Sequence, residues 1–263
     1  MVKQNQIKRS ASPLNATEVA LCGEAFAPHR HDTYTIALTQ SGVQSFNYRG
    51  ALRHSLPGQV VVLHPDEMHD GQAGTEEGFS YRSINVAPRI VHDISGSVEL
   101  PYIDGGITVD LEIKDALSTL CMEIDYSLDD LEREDALARI VFRLMALGSA
   151  SKRRTKSVDI VSANKACRFI EENLFNPIDM EDVAVAAEKD RWQLSRSFKA
   201  VYGTSPYRFI TKRRLDAALT MLAKGKNPSE TALACAFYDQ SHFTRHFKQA
   251  FGITPAKWKM LQA

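Results

Sequence analysis

No apolar run in this 263-residue chain approaches the roughly 18 consecutive residues that cross a bilayer, and no secretory leader is expected at its start. Cysteine is sparse: Cys22, Cys121, Cys167 and Cys235 are scattered, with no CxxC pair. That pattern excludes a disulfide framework or thiolate zinc cluster and points to reduced, small apolar side chains in a cytoplasmic protein. No glycine-rich phosphate loop and no serine–histidine–aspartate arrangement is recognisable, which removes the common nucleotide-binding and hydrolytic chemistries. The 44% of apolar residues is nonetheless enough for packed cores.

Net charge is missing too, at 32 basic and 32 acidic residues, but the zero conceals a division. Residues 1–150 hold 12 Lys and Arg against 21 Asp and Glu, a balance of −9; residues 151–263 hold 20 against 11, a balance of +9. The length allows one large domain or two ordinary ones. Opposite signs suggest two domains with different partners, the basic one facing a polyanion; the plainer reading is that the halves attract each other.

Residues 1–20 show no clear periodicity and read as an N-terminal arm that orders partly on the next domain. From 21 to 109, short apolar alternations such as "YTIALTQSG", "VQSFNYRG" and "FSYRSINVAP" are broken by Gly and Pro, which predicts a β-sandwich or small barrel. From 110 to 148 the period becomes helical, in two amphipathic stretches; the second puts Leu137, Ile140, Val141 and Leu144 on one stripe and stops at Gly148. That layer either packs on the β domain or faces a second copy, and a homodimer is the favoured expectation. The segment 148–159, "GSASKRRTKSVD", is polar, basic and free of large apolar groups, and places a linker at 149–160.

Residues 161–263 are helical in pattern and contain a repeat. A shift of 49 lays 181–209 over 230–258 without a gap. Asp190 meets Asp239, Arg196 meets Arg245, Phe198 meets Phe247, and Gly203, Ser205 and Pro206 meet Gly252, Thr254 and Pro255. Each copy reads as a short helix, a tight turn and a second helix, which is a helix-turn-helix, spanning about 179–201 and about 229–251. Asp179 and Ser229 are the expected N-caps, and Gly203 and Gly252 the expected left-handed stops. Residues 205–224 read as one linker helix, whose about 19 helical residues at roughly 1.5 Å each give a rod near 28 Å. That length could set two recognition helices into successive major grooves, roughly 34 Å apart. In "YDQSHFTRHFKQAFGITPAKW" the phenylalanines Phe243, Phe247 and Phe251 share a core face, while Gln240, Ser241, His242, Thr244, Arg245 and Lys248 line the other.

This half resembles the DNA-binding domain of AraC-type (AraC/XylS) bacterial transcription regulators, most closely through "ACAFYDQSHFTRHFKQAFGITPAKW". The resemblance implies DNA contacts from Arg191, Trp192, Ser195, Arg196 and Lys199 in the first copy. In the second it implies Gln240, Ser241, His242, Thr244 and Arg245. Arg196 and Arg245 can fork onto guanine and Gln240 can pair with adenine. Lys199, Lys248, Arg213 and Arg214 suit phosphates.

In the acidic half, "PHRHDTYTIALTQSGVQSFNYRG" and "SLPGQVVVLHPDEMHDG" resemble the cupin-like β-barrel sensor of such regulators. His29, His31 and His69 match positions where cupin enzymes hold a metal, but the accompanying carboxylate is replaced by the segment Tyr34, Thr35, Ile36. The expectation is therefore a small-molecule pocket, with His29, His31, Thr35, His69 and Arg82 as candidate contacts, His54 and His64 as weaker ones, and no resident metal or cofactor. Arg82 would favour an anionic effector.

The expected whole is an α+β two-domain chain: a cupin-like β-barrel with a helical pair, then an all-α tandem helix-turn-helix domain. Its expected function is effector-controlled, sequence-specific DNA binding, without enzymatic activity and without a membrane. Expected partners are double-stranded DNA, a small effector, a second copy and, for an activator, RNA polymerase. The alternative is a metal-dependent cupin enzyme or metal sensor fused to a DNA-binding module.

Overall fold

The computed structural model describes residues 5–10, 14–97, 99–148 and 158–260. Most of the expected linker, 149–157, lies outside the described residues, as do 1–4 and 11–13 of the expected arm. The chain divides into two compact units, Met1–Thr155 and Lys156–Ala263. Among the described residues no helix is long and apolar enough to cross a membrane.

In the first unit, a six-stranded antiparallel sheet starts at β1 (Gln6–Arg9) and β2 (Thr17–Leu21). Residues 1–20 are thus not simply an arm, because β2 pairs along its whole length with a strand far on in the chain. All four side chains of β1 are exposed, so the strand carries no alternation to read. The next two strands, β3 (Glu24–His29) and β4 (Tyr34–Gly42), enter different sheets. A hairpin follows, of β5 (Gln44–Tyr48) and β6 (Ala51–Ser55). Its turn is Arg49-Gly50, both at positive φ (52° and 79°), the mirror-image turn that matches strand twist. Then come β7 (Val60–Leu63), β8 (His69–Ala73) and β9 (Phe79–Val86), with β10 (Ile107–Thr108) after them. The larger sheet runs β1-β2-β9-β4-β7-β10 and the smaller β3-β8-β5-β6.

Register decides what each face of the larger sheet meets. In the pairing of β4 with β9, Ile36 lies opposite Ile84 and Leu38 opposite Arg82. Ile36, Leu38, Val60, Val62, Ile84 and Val86 therefore share one face, buried beneath the helices. The other face presents Ala37, Val61, Leu63 and Tyr81 to Phe46 and Tyr48 of the smaller sheet. Covered on both sides, β7 is a continuous apolar run (Val60–Leu63) rather than an alternating one.

Three helices close the unit: α1 (Pro88–Ser95), α2 (Leu111–Cys121) and α3 (Asp130–Gly148). The segment holding α1 was expected as part of a run of strands; Pro88 in its first turn instead opens a two-turn helix that stops at left-handed Gly96. Asp110 caps α2 by accepting from the Ile113 N–H and is ion-paired with Arg143 of α3, which holds its carboxyl below the usual range. The stripe Leu137, Ile140, Val141 and Leu144 packs inside this chain, against α2 and the sheet face just described. It is therefore not a surface for a second copy. The outward side of α2 and α3 leaves Leu111, Leu131 and Phe142 exposed.

The second unit is all helical: α4 (Ile160–Glu172), α5 (Met180–Ala186), α6 (Arg191–Tyr202), α7 (Pro206–Ala223), α8 (Pro228–Ala234), α9 (Gln240–Phe251) and α10 (Pro255–Met260). Asp179 caps α5 in a capping box with Asp182, Asp190 caps α6, and Gly203 ends it at φ 74°. Ser205-Pro206 is the N-cap and first residue of α7. In the second copy the cap of α8 is Asn227, not the expected Ser229; Pro228 fixes the first helical position, and Asn227 accepts from the Glu230 N–H. The left-handed residue of the turn also shifts, from Glu188 (φ 54°) in the first copy to Ala236 (φ 53°), the counterpart of Ala187, in the second. Two cores result. Phe198, Val201 and Leu194 centre the first and Phe243, Phe247 and Phe237 the second. The helix α7 joins them, giving Phe209 and Ile210 to one and Leu215, Ala218 and Leu222 to the other.

Candidate nucleic-acid interface and sensor sites

In α6, the buried face of Leu194, Ser197, Phe198, Val201 and Tyr202 leaves Arg191, Trp192, Arg196 and Lys199 exposed, with Ser195 at the margin. The Arg191 guanidinium lies 5.0 Å over the Trp192 ring, whose residue is 64% exposed. In α9, burial of Phe243 and Phe247 leaves Gln240, Ser241, Arg245 and Lys248 exposed and Thr244 half-buried. Among the described residues neither Arg196 nor Arg245 has a carboxylate partner, so both guanidinium forks are open. A helix carrying such a face fits the width of a DNA major groove.

His242 departs from that face. Its ring meets His246 edge-on at 4.5 Å and Phe237 at 5.7 Å, and its Nδ1 is buried without a hydrogen-bond partner among the described residues. The side chain lines a small cavity of about 70 Å³ together with Tyr207, Ile210 and Phe237. It turns toward the body of the domain rather than toward a groove.

Arg214 departs as well. Its guanidinium donates to three backbone carbonyls: Nε to Leu174 at 2.9 Å, Nη1 to Ala236 at 2.9 Å and Nη2 to Asn176 at 2.8 Å. It is a clasp inside the domain, linking the α4–α5 connection to the turn of the second helix-turn-helix, and not a phosphate contact. Arg213, one residue earlier, stacks 4.6 Å over Phe209.

In the β domain, the five expected effector contacts separate into two places. His29 and His69 are paired across β3 and β8, and His31 follows in the connection to β4. Thr35 reaches this group: its Oγ1 lies 3.1 Å from His31 Nε2 and donates to Asn85 Oδ1 at 2.7 Å. His69 is buried, and burial reinforced by the neighbouring His31 and His29 pushes its pKa from 6.5 down to about 3. Arg82 lies elsewhere. Opposite Leu38 in register, it is on the other face of the larger sheet, paired with Glu18 at 2.6 Å and Asp125 at 3.0 Å. There it lines a cavity of about 470 Å³ with Gln40, Ser118, Cys121 and Tyr126 among its walls. Burial pushes the Cys121 thiol up to about 12, so it stays protonated.

His64, a weaker candidate in the sequence, is a core residue. Its Nε2 accepts from the Ile103 N–H at 2.9 Å, its Nδ1 is bonded to the Tyr48 hydroxyl, and burial lowers its pKa to about 3. His54 is exposed and bonded through Nδ1 to Ser45 Oγ at 2.8 Å.

A β-rich domain followed by two helix-turn-helices with exposed basic faces is the build of a two-domain transcription regulator. Comparison with known proteins agrees. Residues 18–141 match the AraC-like ligand binding domain and residues 183–260 match a helix-turn-helix domain. The chain is 26% identical over 231 residues to the uncharacterized HTH-type transcriptional regulator YbfI of Bacillus subtilis, covering 83% of this chain and 82% of that one. It is 37% identical over 92 residues to the transposon Tn10 TetD protein of Escherichia coli, covering 35% of this chain and 67% of that one. The crystal structure of ToxT from Vibrio cholerae superposes with a TM-score of 0.61 at 13% identity, over 99% of this chain and 98% of that one. The chain belongs to the AraC-type family of transcription regulators.

Proposed function

We propose that α6 and α9 read DNA through Arg191, Trp192, Ser195, Arg196 and Lys199 and through Gln240, Ser241, Thr244 and Arg245. The observation that carries this reading is the equivalence of Arg196 and Arg245, two open guanidinium groups at matching positions on the exposed faces of repeated helices. The 18 residues of α7 span about 27 Å, a length suited to two successive grooves. Genomic fragments captured by the full-length protein and sequenced test the proposal. A shared motif among them supports it, and capture in proportion to fragment abundance refutes it.

The effector is taken up in the β domain. Its best-supported seat is the cavity of about 470 Å³ beside Arg82, a volume in the usual range for a small ligand. Two carboxylates, Glu18 and Asp125, already neutralise Arg82 and leave the wall with excess negative charge. That balance favours a cationic or neutral polar effector over the anion that Arg82 alone would suggest. ToxT, which shares the fold, has been solved with an unsaturated fatty acid bound; the charge at this cavity supports a different ligand here. Occupancy would act on DNA binding by favouring one arrangement of domains or protomers. A homodimer using the exposed apolar side of α2 and α3, work in the cytoplasm, contact with RNA polymerase if the protein activates, and the absence of catalysis all belong to the same reading. Relatives named as transcriptional regulators support it.

A further inference from the structure

The turns of the two helix-turn-helices differ by one residue. In the first copy the N–H groups of Ala187, Glu188 and Lys189 donate to the carbonyls of Val183, Val185 and Ala184. In the second, those of Cys235, Ala236 and Phe237 donate to Thr231, Leu233 and Ala232. These three bonds, the left-handed residues Glu188 and Ala236, and the caps Asp179 and Asn227 all correspond at a shift of 48. From the caps of the second helices onward, Asp190 and Asp239, the shift is 49. The extra residue therefore falls between Phe237 and Asp239. It is Tyr238.

The chain is fixed on both sides of it. Phe237 is turned into the core, 5.1 Å from the Phe243 ring. Asp239 accepts from the His242 N–H at 2.6 Å, and Arg214 Nη1 donates to the Ala236 carbonyl at 2.9 Å. Tyr238 itself is 89% exposed and makes no hydrogen bond or ring contact among the described residues. A buried aromatic ring stabilises a fold, but an added one that packs on nothing contributes nothing to this domain. A rigid turn thus presents an unused phenol one residue ahead of the cap of α9.

We propose that Tyr238 is a DNA-backbone contact, its hydroxyl donating to a phosphate oxygen beside the block that α9 reads. The proposal rests on that reading of DNA by α9. In such docking the N-terminal residues of the second helix reach base edges. The chain entering the helix therefore passes the wall of the groove, which is sugar and phosphate. Tyrosine is among the side chains that contact this backbone. Its O–H can donate to a phosphate without bringing a positive charge. The contact then has a signature that lysine and arginine lack: it adds affinity and releases no counterion. It also seats the second helix-turn-helix more firmly than the first, which has no residue at this place.

The test uses the full-length protein with Tyr238→Phe, Tyr238→Ala and Arg245→Ala, on a duplex that the wild type retains. Tyr238→Phe should weaken binding about 10-fold, the lower end for a hydrogen bond to a charged group, and Tyr238→Ala by more. The slope of affinity against salt and the selected sequence should both stay as in the wild type. Ethylation of one phosphate flanking the second block should interfere with binding by the wild type and not by Tyr238→Phe. Both Tyr238 variants should keep the wild-type melting temperature; a lowered one would place the ring in the packing of the domain and overturn the proposal. Wild-type affinity in both variants overturns it too and leaves the phenol to a protein partner. So does a loss confined to one base pair of the motif, since Tyr238 would then read sequence. Arg245→Ala keeps the two readings apart. If it relaxes a block while Tyr238→Phe changes nothing, this proposal alone falls; if it relaxes no block, the reading by α9 falls and takes this proposal with it.

Discussion

Replacing Arg214 by Met separates an internal clasp from a DNA contact. The side chain donates three hydrogen bonds to the carbonyls of Leu174, Asn176 and Ala236, drawn from both halves of the helical domain. A hydrogen bond from a charged donor contributes about 1.5–3 kcal/mol, and these three are not additive. Arg214 is half-buried, so water can satisfy some of the carbonyls once the guanidinium is gone. A net loss of about 3 kcal/mol is the reasonable expectation, roughly the value of one strong charged bond in full. For a domain of this size each kcal/mol lowers the melting temperature by about 4–8 °C, so the helical domain should melt about 12–24 °C earlier. Scanning calorimetry of the full-length protein should show that loss in one transition, while the transition of the β domain stays in place. Below the new melting point, the dependence of DNA affinity on salt should be unchanged. An unaltered melting temperature together with a salt slope reduced by about 1 would mean that Arg214 serves a phosphate after all, and the clasp would be refuted.

Three further outcomes are expected. His64 is held neutral to about pH 3, whereas an unfolded histidine takes up its proton near 6.5. The unfolded state therefore binds more protons across that window, and stability should fall as pH drops from 7 toward 3, by up to about 1.4 kcal/mol per pH unit from this residue. Denaturant titrations at pH 7 and 5 should show a shallower loss in His64→Gln than in the wild type. Gly42→Ala should cost more than the about 3 kcal/mol of ordinary substitutions, because its Cβ would lie 2.0 Å from the Gly78 carbonyl oxygen, whereas Gly252→Ala meets open space and pays only about 1–2 kcal/mol for its left-handed backbone; thermal unfolding of both variants checks the contrast. In a titration of the Arg82 cavity with small amines and small carboxylates, amines should bind more tightly, and Glu18→Gln with Asp125→Asn should remove that preference.

The helical domain was legible because its punctuation is local. Asp179, Asp190, Gly203 and Ser205-Pro206 each act on a backbone group within a few residues, and the 49-residue repeat exposes them twice. Asn227-Pro228 has the form of Ser205-Pro206, and that local rule places the cap of α8 there rather than at Ser229. Arg214 was not legible. Its acceptors lie 40, 38 and 22 residues away, and nothing in "KRRLD" tells the second arginine from the first. In the β domain, composition and turn residues pointed to strands, but which side chains share a face depends on pairing between distant strands. Alternation alone allows Arg82 to point inward with His29, His31 and His69; only the register that sets it opposite Leu38 moves it to the other face. Similarly, the stripe on α3 is equally apolar whether it meets a sheet or a second copy, and the cluster around Ile113 and Leu117 decides it.

The central claim, that two equivalent helices each read one block of DNA, is tested most directly by selecting a randomised duplex pool with full-length wild type, Arg196→Ala and Arg245→Ala, and sequencing what is retained. The account predicts two short blocks about one helical turn apart in the wild-type selection. Each substitution should relax a different block, with a loss of about 1–3 kcal/mol in discrimination there. Selection of no sequence, or relaxation of the same block by both substitutions, would contradict it.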